Sequence, residues 1–383
     1  MPDGQTDPEQ VQLVRELCDE MERIYQSRDR YPEITVTRHW SSHNPTICGE
    51  IARPSVFRWY LERELLALAR KGAQLAVKES RQRIDLSSPK LLKKIDESSF
   101  DHTRKKLLLF GPERVDLSIE RLEHYTATEA DNFQRFILLT NYQMHMEVFE
   151  RLYPDCVKPS RPGAQMPAYH HKLSDNRGFS IVNIGVGPSN AKNFTDHVAV
   201  LRPDAMLMIG HCAGVRNRQD IGDFVLASGY MRADRILDQA LPLAVPVAPN
   251  FLLNKHLARA LDERGQRYRL GTVYTTLDRN WELFRRESVA ELQSSRAIAV
   301  DMESATVAAN GFRYRVPHAT LLCVSDKPLH GQPKLPGEAK RFYEESKNQH
   351  LAIAIDALEG AGNDFPDGFP NTELRAPDDP LIG

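Results

Sequence analysis

Cysteine is scarce in this chain of 383 residues: the five present, Cys18, Cys48, Cys156, Cys212 and Cys323, are odd in number, scattered and without metal-ligand spacing. That excludes a disulfide framework and a zinc module and fits a reducing compartment. Long hydrophobic runs are missing as well. No stretch of 18 apolar residues occurs, so no membrane-spanning helix and no membrane partner are expected. The start, Met1-Pro2-Asp3-Gly4-Gln5, has neither the basic opening nor the apolar core of a secretory signal, and a cytoplasmic location is the expectation. Nor is there an excess of charge of one sign: 50 Lys and Arg stand against 52 Asp and Glu. A general attraction for nucleic acid is therefore not expected, and any anion must be met by locally placed cations. No internal repeat is found.

What is present is a hydrophobic share of 41%, enough for one large α/β domain and an appendage. Asp7 is placed to cap a helix with Pro8 at its first position, and Val11, Val14, Leu17, Met21 and Ile24 make one apolar stripe. A strand-like Ile34-Thr35-Val36-Thr37 follows. A second helix contains Phe57, Tyr60, Leu61, Leu65 and Leu68 and closes at Gly72. These elements suggest a small α+β accessory domain over residues 1–103, with Ser87-Ser88-Pro89 and the charged stretch 93–99 as connections. From Lys105 strand and helix alternate. Leu107-Leu108-Leu109-Phe110 reads as a strand and a long helix is expected from about Asp131 through Phe136 and Ile137 to Phe149. Strands recur at Ile181, Ala205, Phe224, Gly271, Ala297 and Thr320, which argues for a mixed sheet covered by helices on both faces over 104–360. A last helix spans about Glu338 to Leu358, and 361–383 is expected to be a flexible tail.

Gly185-Val186-Gly187-Pro188-Ser189-Asn190 follows a strand and opens a helix, where backbone amides can meet an anion or a sugar hydroxyl; a bare tight turn is the equal alternative. The dinucleotide fingerprint fails, because Asn190 stands at the third glycine position. No cofactor and no metal is expected. Gly210-His211-Cys212-Ala213-Gly214 is another strand exit made of small residues, and for His211 alone a structural imidazole is the better reading. Two apolar runs deliver acids at their C-terminal ends, Ala299-Val300-Asp301-Met302-Glu303 and Leu321-Leu322-Cys323-Val324-Ser325-Asp326, where α/β sheets place ligand crevices. Singly, each acid has a bland reading: Asp301 as a helix cap, Glu303 as a first-turn residue, Asp326 as a turn residue. Together, four such exits would surround one crevice.

Val300-Asp301-Met302-Glu303-Ser304-Ala305 resembles the ribose-binding segment of the purine nucleoside phosphorylase and nucleosidase superfamily, and Val324-Ser325-Asp326 resembles its purine-protonating segment. Asn183-Ile184-Gly185-Val186-Gly187-Pro188, Gly210-His211-Cys212-Ala213-Gly214, Asn280-Trp281-Glu282-Leu283 and Ser325-Asp326-Lys327-Pro328-Leu329-His330-Gly331 are similar, more specifically, to the bacterial AMP nucleosidases. The likeness runs with gaps from about Leu107 to Leu358 and is weaker over the first hundred residues. It implies a nucleoside phosphorylase-like sheet and cleavage of AMP to adenine and ribose 5-phosphate. Asp326 is then the general acid that protonates the purine, and Glu303 the carboxylate that holds the sugar hydroxyls and stabilises an oxocarbenium-like transition state. The resemblance further implies sugar packing by Met302, a strand-exit wall including Gly187, His211 and Cys212, and a purine pocket with Asn280 and Trp281. For Trp281 core packing is the even alternative. Arg114, Lys327 and Lys334 are the candidates for the 5′-phosphate. Where hexameric phosphorylases carry an arginine and a serine for inorganic phosphate, this chain has Met208 and His211, which points to water as nucleophile. A phosphorylase, a methylthioadenosine-type nucleosidase and an idle nucleotide-binding regulator are the alternatives. A homo-oligomer, a hexamer, with ATP and phosphate as effectors completes what the likeness implies.

Overall fold

The computed structural model describes residues 7–37, 46–87, 91–97, 110–333 and 336–370. The chain divides into two compact units, one running to Arg121 and the other spanning Leu122–Pro370.

In the first unit, α1 (Pro8–Arg28) is capped by Asp7, whose carboxylate accepts the Glu9 N–H at 3.0 Å. Val14, Cys18, Met21 and Ile24 are its buried face. β1 (Arg30–Thr37) lies between β2 (Thr46–Glu50) and β3 (Gln74–Arg83) in an antiparallel three-stranded sheet. α2 (Arg58–Arg70) buries Tyr60, Leu61, Leu65 and Ala69 and ends at Gly72, whose φ of +80° needs a residue without Cβ. The charged stretch expected as a connection instead forms a short helix, α3 (Leu91–Glu97). The helix α4 (Pro112–Thr126) carries Asp116, only 1% exposed, which accepts the Tyr25 and Tyr31 hydroxyls at 2.7 Å each and Arg53 Nε at 3.2 Å. That polar knot ties the start of α4 to the first unit, so the division falls C-terminal to the expected residue 103. Residues 107–109 of the expected strand lie outside the described residues.

The second unit is built on an eight-stranded mixed sheet in the order β10-β9-β8-β11-β7-β4-β6-β5. Its strands are β4 (Phe136–Thr140), β5 (Ala168–His171), β6 (Phe179–Asn183), β7 (Ala205–Gly214), β8 (Phe224–Arg232), β9 (Tyr268–Thr275), β10 (Ala299–Asp301) and β11 (His318–Asp326). The helices are α5 (Gln143–Leu152), α6 (Pro188–Val198), α7 (Phe251–Glu263), α8 (Arg285–Ser294), α9 (Ser304–Arg313) and α10 (Pro336–Asp364). α5, α7 and α10 cover one face of the sheet, while α6 packs on α9, which covers β7, β8, β9 and β11 on the other. The principal core joins Leu138, Ile181, Leu207, Leu226 and Leu321 of the sheet to Phe149, Leu257 and Leu358 of the helices. The expected α/β fold with a mixed sheet is therefore present.

β10 closes the sheet on itself. It pairs parallel with β9 and antiparallel with the end of β7, Ala299 opposite Gly214 and Val300 opposite Ala213. The curl brings the exits of β7, β9, β10 and β11 around one space.

The long helix expected from Asp131 to Phe149 is corrected. Residues Ala130–Asn132 form a 3-10 turn, Phe136–Thr140 is β4, and the helix begins only at Gln143. Every residue of β4 is buried, so it lacks the polar alternation that marks a half-exposed strand, and its apolar residues extend the helical stripe of α5 by coincidence. The last helix also runs further than expected, to Asp364. Ala361 is buried and Phe369 packs against the principal core, so 361–370 is not a loose tail, while 371–383 lies outside the described residues.

Replacing Asp116 by Ala removes one buried acceptor from three donors. The expected cost is about 2–4 kcal/mol in the denaturant unfolding of the first unit, and a loss below ~0.5 kcal/mol would show the knot to be dispensable.

Candidate active site

The exits of β4, β7, β9, β10 and β11 meet at a cavity of about 260 Å³. Asn141 and Tyr142 follow β4, His211, Cys212 and Ala213 belong to β7, and Thr276 with Arg279–Glu282 follows β9. Val300, Asp301, Met302 and Glu303 come from β10 and its exit, and Ser325 and Asp326 from β11. β4, β7 and β11 run parallel and so end on one side, and the antiparallel pairing of β10 with the end of β7 brings the exits of β10 and of its parallel neighbour β9 to the same space.

Glu303 is the centre of the polar network. Its carboxylate accepts the Gly187 N–H at 2.6 Å and a hydrogen bond from the Asn141 side chain. Gly187 adopts φ +107° just before α6, a conformation that a Cβ would strain. The amide of the glycine turn is thus committed to Glu303. Gly187 acts on the cavity through that carboxylate and is not itself among the lining residues. Glu303 is 2% exposed; burial, and next the adjacent Asp301, push its carboxyl up to about 8, against the opposing pull of the two N–H donors.

Asp301 has the capping role of its bland reading, extended into a scaffold. Oδ2 accepts the Ser304 N–H at 2.9 Å and Oδ1 the Thr275 hydroxyl at 2.6 Å, while Thr275 Oγ1 accepts the Ala305 N–H at 2.9 Å. The start of α9 is thereby locked to β9, and Glu303 is fixed between them. Burial raises the Asp301 carboxyl as well.

Asp326 ends β11 immediately after a bulge. The pairing with β7 slips between Val324 and Asp326, leaving Ser325 as the extra residue and turning Asp326 toward the cavity. The Ser325 hydroxyl reaches Asp326 Oδ1 at 2.6 Å, closer than the Cys212 carbonyl at 3.3 Å. Asp326 is partly exposed.

Trp281 is 7% exposed, packs with Ala213, Tyr274 and Val300, and also lines the cavity. Before it, Thr276 N–H donates to the Asp301 carbonyl at 2.9 Å, and Asp278 accepts the Asn280 N–H at 2.8 Å. This turn presents Arg279, which the sequence reading left without a role, at the cavity with its side chain exposed. His211 is a wall residue, edge-on to Tyr142 with ring centroids 4.6 Å apart. Met208 is fully buried in β7 and takes no part in the lining.

Lys327 is 5% exposed and donates Nζ to the Asn217 carbonyl at 3.1 Å, outside the lining. Arg114 belongs to the first unit. Lys334 lies outside the described residues. Among the described lining residues Arg279 is the one lysine or arginine, against Glu282, Asp301, Glu303 and Asp326. Asn141 was missed because β4 was taken for helix, which hid its strand exit.

The Phosphorylase superfamily profile matches residues 136–359. The AMP nucleosidase of Escherichia coli strain K12 is 41% identical over 408 aligned residues, covering 86% of this chain and 84% of that protein. The crystal structure of AMP nucleosidase from Bacteroides thetaiotaomicron superposes with a TM-score of 0.57 at 28% identity, over 66% of this chain and 99% of that one. A Campylobacter jejuni 5′-methylthioadenosine/S-adenosylhomocysteine nucleosidase, at TM-score 0.51 and 19% identity over 59% of this chain and 99% of that one, shares the fold.

The raised Glu303 carboxyl makes stability depend on pH. The folded protein keeps this proton up to about 8, whereas the unfolded chain releases it near the ordinary 4.5, so folded protein binds more protons between those values and loses stability as pH rises through them. The unfolding free energy of wild type minus that of Glu303→Gln should therefore fall between pH 5 and 8, by up to about 1.4 kcal/mol per pH unit. A difference independent of pH would show that Glu303 is ionised throughout.

Proposed function

Because the chain belongs to the AMP nucleosidases of the phosphorylase superfamily, we propose that it hydrolyses the N-glycosidic bond of AMP, releasing adenine and ribose 5-phosphate. The observation that carries the reading is that Glu303 and Asp326, from two different strand exits, line one cavity together with a guanidinium.

Adenine leaves as a neutral base only if it gains a proton as the bond to C1′ breaks. Asp326 delivers that proton to N7, and the Ser325 hydroxyl holds its Oδ1. Glu303 receives the ribose hydroxyls as a carboxylate and balances the positive charge that grows on the sugar. Met302 packs on the ribose, with His211 and Cys212 forming the adjacent wall, and Trp281 and Asn280 take the base. The 5′-phosphate is assigned to Arg279, the one lysine or arginine among the described lining residues. Water is the nucleophile. With Met208 buried in the sheet, β7 offers no cation for an attacking inorganic phosphate. The reading places the enzyme in purine metabolism, in the cytoplasm, as a homohexamer with ATP and phosphate as effectors.

Asp326→Asn should lower adenine release from AMP by at least about 10³-fold while AMP still binds in calorimetry; a turnover within tenfold of wild type refutes the acid assignment. Wild type should prefer AMP to adenosine in kcat/KM and need no inorganic phosphate. Arg279→Ala should reduce kcat/KM for AMP about 100-fold and leave that for adenosine within threefold, collapsing the preference. Equal losses on both substrates would remove Arg279 from the phosphate, and a strict requirement for inorganic phosphate would replace hydrolysis by phosphorolysis.

A further inference from the structure

The hydrolytic reading leaves the nucleophile without a holder, and one lining side chain has a use that the reaction so far does not give it. Asn141 stands at the exit of β4, immediately after Thr140, and faces the same cavity as Glu303 and Asp326. Its amide is fixed from one side. The hydrogen bond it makes with Glu303 favours the ionised carboxylate, so Asn141 is the donor and Nδ2 points at Glu303. The carbonyl oxygen then points away from Glu303. Oδ1 is buried and has no hydrogen-bond partner among the described residues. It lies over Gly210, where even an added Cβ would come within 3.6 Å of it. A buried carbonyl without a donor is costly, so this one calls for a ligand with an O–H or N–H to give.

Resting on the hydrolytic reading above, we propose that Asn141 Oδ1 accepts one O–H of the attacking water and aims its lone pair at C1′, making Asn141 a positioning residue for the nucleophile. The chemistry closes. The C1′–N9 bond breaks with its electron pair going to the purine, which takes the Asp326 proton at N7. The water oxygen bonds to C1′, and one water proton must leave. An amide oxygen is too weak a base to take that proton, so Asn141 orients the water and the adjacent Glu303 carboxylate receives the proton. Glu303 can hold it because its buried environment favours the neutral acid. The proton then passes to solvent when the products leave. Asn141 thus touches both partners of the step: its Nδ2 keeps Glu303 in place and its Oδ1 keeps the water beside it.

The competing use of Oδ1 is to accept a ribose hydroxyl, and the kinetics separate the two. For Asn141→Ala, kcat with AMP should fall about 100-fold with KM within threefold of wild type, the deficit should persist from pH 6 to 9, and 2′-deoxy-AMP should suffer the same fold loss. A change in KM with kcat retained, or no loss on 2′-deoxy-AMP, would transfer Oδ1 to the sugar and overturn the proposal. A deficit that disappears at high pH would mean that Asn141 acts only by setting the ionisation of Glu303, which also overturns it. If Asn141→Ala does not fold, as judged by circular dichroism and melting, Asn141→Ser is read by the same criteria. Wild-type protein that releases no adenine from AMP would sink the hydrolytic reading itself, a result distinct from any of these.

Discussion

The structure depends on a buried carboxylate that is held, not solvated. Glu303 sits beside a second buried acid, Asp301, and both are supplied with donors: the Gly187 amide and the Asn141 side chain for one, the Ser304 amide and the Thr275 hydroxyl for the other. Two adjacent carboxyls away from water repel and resist ionisation. Each donor lowers that penalty, and each comes from a different element: the turn before α6, the exit of β4, the start of α9 and the end of β9. The electrostatic demand of these two adjacent side chains therefore fixes the mutual placement of four strand exits. Gly187 is constrained in the same way, since its N–H reaches the carboxylate only from a backbone conformation that side chains oppose.

The sheet provides the frame in which this is possible. A flat sheet in the observed order would leave β10 at an edge, remote from β7. Pairing β10 with β7 as well as β9 curls that half of the sheet and sets Val300 against Ala213, both on the cavity wall. The bulge at Ser325 makes the complementary adjustment on β11. Without the extra residue, Asp326 would keep the alternation of the strand, and alternation sends neighbouring side chains to opposite faces. Asp326 and Glu303 thus converge through two departures from regular pairing, while the pairs that remain regular carry the core.

These two devices mark what the sequence made legible. Short apolar runs ending in acids announced β10 and β11 and their carboxylates, because a buried parallel strand is nearly uniform in hydrophobicity and its exit is where polarity resumes. Motif likeness added Met302, His211, Cys212, Asn280 and Trp281, all of which line the cavity. The same uniformity misled at β4, where a fully buried strand followed by an amphipathic helix mimics one continuous helix. Asn141 disappeared with that strand exit. Arg279 was passed over for a different reason: on a balanced, highly charged chain a single arginine in a turn has no local pattern that separates it from a solvated surface charge. Lys327 shows the converse: it flanks a loop that could close over a site, while its ammonium is anchored on the Asn217 carbonyl. Distances across the fold decide such cases, and pattern carries none.

The charge balance of the cavity also bears on the choice of nucleophile. A phosphorylase acting on a nucleotide must accommodate two phosphates at once, the 5′-phosphate of the substrate and the inorganic phosphate that attacks C1′. The described lining holds Glu282, Asp301, Glu303 and Asp326 against Arg279. One guanidinium can clamp one phosphate through paired N–H donors, and a second phosphate would stand among carboxyl groups without a cation of its own. Burial already opposes ionisation of the Glu303 carboxyl; in the proposed reaction that carboxyl must ionise to stabilise an oxocarbenium-like transition state, and a neighbouring phosphate would oppose the ionisation further. A neutral nucleophile has no such conflict. Water can approach the sugar beside a carboxylate, needs only an acceptor to orient it, and leaves the guanidinium to the substrate. Hydrolysis is then the chemistry that this distribution of charge permits, and β7, which carries no lysine or arginine, is its structural counterpart.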